Sequence, residues 1–178
     1  NAFVLLVIAV SLPIFGKKKV SGTSESLELV VALDVSNSMN TCDISAEMSR
    51  LEISKRALVQ LVNNLHGEKI GICLFANNAF VQLPLTRDYS AAKLFLSTIN
   101  TEIVPTQGTA IGKAIDLCIR SFDFKNGQSK SIIVITDGEN HEDDAIEKAK
   151  EANKKGVIIH TIGMVLRTQQ VVFTPILH

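Results

Sequence analysis

Apolar runs of strand length alternate with stretches of helical period along most of the chain. Residues 27–33 are almost continuous Leu, Val and Ala, the composition of a strand covered on both faces. Residues 49–65 repeat apolar side chains at Leu51, Ala57, Leu58, Leu61, Val62 and Leu65, which predicts an amphipathic helix closed by Gly67. Residues 69–75 form a second buried strand. Residues 79–83 alternate and are expected to pair with it as a hairpin across Asn77 and Asn78. Asp88 or Thr86 is placed to cap a helix running to about Ile99. A polar loop with Pro105 and Gly108 follows, and Thr109 opens a helix to about Phe122. Residues 131–136 are a third buried strand, 142–155 a helix ended by Gly156, and 157–162 a further strand. Within residues 166–178, "VVFTPI" has the composition of an edge strand.

Strands alternating with helices predict an α/β fold: a doubly wound, mostly parallel central sheet with helices on both faces. The parallel strands then end along one edge, where ligands bind beside the switch in strand order. "LDVSNSM" brings Asp34, Ser36 and Ser38 to that edge after the first strand. "VITDG" brings Asp137 after the third, and Thr109 precedes a helix leaving the same edge. All five side chains end in oxygen, the donor that hard divalent cations prefer. Other roles stand beside this one: Ser36 and Ser38 suit a turn or cap, Thr109 an N-cap, and Asp137 an Asx turn with Gly138. The acidic run from Glu139 to Asp144 suits the first turn of a helix or a rim around the site. His141 lies near that rim. His160, within "VIIHTIG", suits a hydrogen-bonded core histidine.

Composition narrows the function. The 178 residues are 46% hydrophobic and 20% charged, a globular balance. Lys plus Arg equals Asp plus Glu at 18 each, and there is no Trp and one Tyr, so neither a nucleic-acid surface nor a base-stacking platform is indicated. Three widely spaced cysteines make neither a disulfide framework nor a CxxC zinc pattern: Cys73 and Cys118 read as core, Cys42 as loop.

Residues 1–19 stand apart. Residues 2–15 are uncharged and lead to Lys17, Lys18 and Lys19, which reads as the remnant of a transmembrane helix with its basic flank. A signal-peptide core or a core element of the domain are the other readings. Residues 20–26 read as a linker, 27–165 as the domain, and 166–178 as an uncertain tail or edge strand.

"DVSNS", the "GT" of "PTQGTAIG" and the "TDG" of "VITDGEN" together resemble the metal-ion-dependent adhesion site (MIDAS) of von Willebrand factor A-type (VWA) domains. The likeness spans about residues 27–163. "ALDVSNSM", "FVQLPLTRDYSAAKLFL", "PTQGTAIG" and "HTIGM" are similar to the membrane-anchored bacterial Bacteroides aerotolerance (Bat) proteins. Residues 13–21 and those after Met164 depart from that pattern.

The resemblance implies a protein-binding module rather than an enzyme. Ser36, Ser38 and Thr109 would supply hydroxyls to Mg2+ (or Mn2+ or Ca2+), and Asp34 and Asp137 would act mainly through bound water. A partner's Glu or Asp would take the open position. It further implies a place in the bacterial inner membrane with the domain on the periplasmic side, related membrane proteins and a MoxR-type ATPase as partners, and a link to aerotolerance or stress. The three lysines by themselves favour the cytoplasmic side.

Two other functions compete. Asp34 at a strand end could serve phosphoryl transfer, but the second acid of a D-x-D is replaced by Ser36. No GxSxG elbow and no phosphate-binding GKS or GKT is present. Alternatively, a metal could staple the loops without capturing a partner.

Overall fold

The computed structural model describes residues 26–104, 108–138 and 144–164. The membrane-remnant and linker readings of the N-terminus, the tail reading, and most of the acidic run with His141 fall outside the described residues.

Five strands form one sheet: β1 (Leu27–Asp34), β2 (Lys69–Phe75), β3 (Ala79–Thr86), β4 (Ser129–Thr136) and β5 (Val157–Gly163), in the order β3-β2-β1-β4-β5. β1 runs parallel to β2 and to β4, and β4 parallel to β5. Only the β2–β3 hairpin is antiparallel. β3 is an edge strand, and this is where Pro84 is tolerated, since its missing N–H removes no bond from the sheet interior. β1 is central, and every residue in it after Leu27 is buried, so it reads as unbroken hydrophobicity rather than alternation.

The helices cover both faces. α1 (Arg50–Asn63) and α2 (Tyr89–Thr98) pack with Val31, Leu33, Ile70, Ile72 and Leu74 on one side. On the other, α3 (Ile111–Arg120) and Ala152 of α4 (Ala145–Lys154) pack with Val30, Ala32, Ile132 and Val134. Successive β1 residues thus feed opposite cores, as strand geometry requires. Cys73 and Cys118 lie buried in the second core and Cys42 is exposed.

Local signals set the helix ends. The Ser49 hydroxyl accepts from the Glu52 N–H at the start of α1, and the Asp88 carboxylate from the Ala91 N–H at the start of α2. Gly67 takes a φ of 118° just beyond α1, a conformation that disfavours any side chain.

Three expectations need correction. The third helix begins at Ile111, with Ala110 in the cap position and no side-chain cap, so Thr109 stands before the helix rather than capping it. His160 is exposed, because β5 forms the edge of the described sheet. It lines a 530 Å³ apolar groove beside α3 and α4. The strands extend one to three residues past the apolar runs, since ladder bonds continue after hydrophobicity stops: β1 includes Asp34, β3 reaches Thr86 and β4 starts at Ser129.

Candidate metal centre

β1 and β4 are neighbours although far apart in sequence, and β2 lies on the other side of β1. This is the switch point of the sheet. Asp34 ends β1 and Asp137 directly follows β4. Val35 N–H donates to the Phe75 carbonyl at the end of β2 (2.8 Å), and Ala110 N–H to the adjacent Ala76 carbonyl (2.7 Å). Gly108, at φ 142°, passes so close to Asn77 that an added Cβ would lie 3.2 Å from the Asn77 Cβ. These contacts seat the segment bearing Thr109 at the edge from which Asp34 and Ser36 emerge. All three segments predicted to meet therefore lie at the carboxyl ends of adjacent strands, with Asp34, Ser36, Thr109 and Asp137 buried and Ser38 half-buried.

Asp34 is 0% exposed. Its Oδ1 accepts the Ser36 N–H at 2.9 Å and its Oδ2 the Thr136 hydroxyl at 2.7 Å. Burial pushes the Asp34 carboxyl above its ordinary value. The hydrogen bonds from Ser36 and Thr136 pull the other way, and the nearby Asp137 charge adds to the rise.

A short 3₁₀ turn, Asn37–Asn40, follows. Ser36 occupies its cap position, yet its hydroxyl caps nothing and lies 3.0 Å from the Ser38 hydroxyl. The Gly138 N–H donates to the Thr136 hydroxyl, at 3.1 Å; the Asx turn read for Asp137 would involve the N–H of residue 139, outside the described residues.

Two residues that the sequence reading missed stand against this cluster. Arg50, first in α1, donates from Nη1 to Asp137 Oδ2 at 2.9 Å. It also grips Asp43 with two bonds, from Nε at 2.9 Å and Nη2 at 2.6 Å. That grip holds the Asp43 carboxyl below its ordinary range. Asp43 and, to a lesser degree, Asp137 raise the Arg50 guanidinium further. One signal was available in the sequence: a cation in the first turn of a helix opposes the macrodipole, so Arg50 needed a partner. Thr136, which holds Asp34, was read only as the end of a strand.

Among the described residues, no group of three or more His, Cys, Asp or Glu side chains is gathered to hold a metal. The donor set is instead two carboxylates and three hydroxyls. It suits a hard dication and no soft one.

The residues 29–139 match the model of the von Willebrand factor type A domain. The chain belongs to that family. The crystal structure of a conserved hypothetical protein BatB from Bacteroides thetaiotaomicron is 43% identical, with a TM-score of 0.74, over 84% of this chain and 75% of that one. An aerotolerance-related membrane protein from Bacteroides fragilis is 38% identical, also with a TM-score of 0.74, over 84% of this chain and 82% of that one. A curated "Uncharacterized protein" of Borreliella burgdorferi is 29% identical over 92% of this chain and 48% of its own length. The chain thus spans about half the length of that curated relative. It is a VWA domain related to the Bat aerotolerance proteins.

Proposed function

We propose that this VWA domain binds a divalent cation, Mg2+ first, at Ser36, Ser38 and Thr109, and through it captures a carboxylate of a protein partner. The observation that carries the reading is the 3.0 Å separation of the two serine hydroxyls beside buried Asp34. Two ligands on one edge of an octahedron with bonds of 2.0–2.1 Å stand about 2.9 Å apart. The dication would supply an electrophilic position open to an incoming Glu or Asp.

The chain's own residues do the rest. Hydroxyls leave the ion's charge largely unquenched. Asp34 is fixed by the Ser36 amide and Thr136, so it orients water and hydroxyl protons around the ion. Asp137 does the same from the β4 side. This arrangement does not favour Asp34 as a phosphoryl-accepting nucleophile: it is fully buried and both its oxygens already accept hydrogen bonds.

The relative described as an aerotolerance-related membrane protein supports a membrane setting. The periplasmic side, and related membrane proteins and a MoxR-type ATPase as partners, belong to the proposal. No described helix is long and apolar enough to cross a membrane.

The test is binding of Mn2+ and capture of membrane proteins by the full chain, with Mg2+ or with chelator. Wild type is expected to bind the ion and to capture a partner only with it. Ser38→Ala and Asp34→Ala are expected to lose both while keeping their circular dichroism. Equal capture in chelator would overturn the reading.

A further inference from the structure

The Arg50 guanidinium sits where an incoming dication would feel it. It is 12% exposed, touches the acid of the β4 loop on one edge and is locked by two bonds to Asp43 on the other. Asp137, its partner, has a side chain with 0% exposure. An arginine fork held this way cannot swing out as a surface lysine would.

We propose that Arg50 is a built-in counter-cation of the metal centre: it holds Asp137 in place when no dication is bound, and it lowers dication affinity by its charge. The inference rests on the metal reading above and deepens it. Two acids at adjacent strand ends repel each other, and one positive charge keeps the site assembled. The same charge opposes an arriving dication, so firm metal binding awaits another anion. The partner's carboxylate is that anion, and metal and partner then bind cooperatively. Asp43 sets the strength of the effect by partly neutralising Arg50.

The experiment is a Mn2+ titration of the full chain in detergent, with free Mn2+ read by electron paramagnetic resonance. The melting temperature of the metal-free protein is measured alongside. Arg50→Gln should melt lower without metal yet bind Mn2+ roughly tenfold tighter, the effect of one unit charge on a dication about 6 Å away even at the dielectric of water. Asp43→Asn should bind it roughly threefold weaker, because the guanidinium charge is left unopposed. A residue that merely supports the loops would weaken binding in both variants. If Arg50→Gln does not fold, Arg50→Met, neutral and space-filling, carries the same expectation. Equal or weaker binding by a folded neutral variant overturns the role of Arg50 and leaves the metal reading standing. Absence of Mn2+ binding by wild type overturns both.

Discussion

Asp34 shows how one residue's chemistry is made by its surroundings. Exposed, it would be an ordinary carboxylate. Buried at the end of β1, it is stabilised by an amide and a hydroxyl and costs desolvation. Asp43 shows the opposite balance, because the Arg50 grip lowers its pKa below the ordinary 3.8. A carboxylate with a lowered folded pKa binds protons more tightly when unfolded. Its contribution to stability is therefore complete above about 3.8 and fades as pH falls through the lower folded value. The expected outcome is that Asp43→Asn loses stability at neutral pH, and that the gap from wild type closes in acid. Urea melts of both proteins as a function of pH check it. A gap that stays constant down to the acid limit would deny the ion pair any role in stability.

The elements were the most legible level. The uncharged run from Leu29 to Leu33 could only be a covered strand, and the spacing of Leu51, Leu58 and Val62 could only favour one buried helix face. Ser49 belongs to this scale as well: its hydroxyl satisfies the Glu52 N–H at the start of α1. Ser49→Ala should cost about 1 kcal/mol in denaturant melts. Because α1 also carries Arg50, that variant should further loosen the Arg50–Asp137 contact; its apo melting temperature reads the cost. Edge positions were less legible. Pro84 and His160 sit on β3 and β5, where burial is partial and periodicity says little about which side chains meet solvent.

At the scale of the whole molecule, the buried Glu28 network and the proposed metal centre occupy opposite ends of the sheet. Glu28, near the start of β1, is fully buried. It accepts from Lys69 at 3.0 Å and from Asn126 at 2.7 Å, and Lys130 lies 3.8 Å away. Removing one member of such a network strands the others. Glu28→Ala should cost about 3 kcal/mol or more in urea unfolding. Its Mn2+ affinity should match wild type, because the centre lies at the far end of β1. A joint loss of stability and affinity would show that the two ends are mechanically coupled. β1, bonded on both sides and buried on both faces, is also expected to carry the slowest amide exchange in the domain.

The sequence by itself determined the strand–helix alternation, the parallel sheet and the five oxygen-bearing residues, because hydrophobic period and local turn chemistry are written in neighbouring positions. It also carried the family, through three short motifs in a fixed order. Only the tertiary structure decided what surrounds those residues. Thr136 reaches Asp34 across 102 positions, and Arg50 reaches Asp137 across 87. Such partnerships depend on which strands become neighbours and on where a buried charge finds its counter-charge. Those are long-range electrostatic and packing choices, and no local pattern in the chain records them.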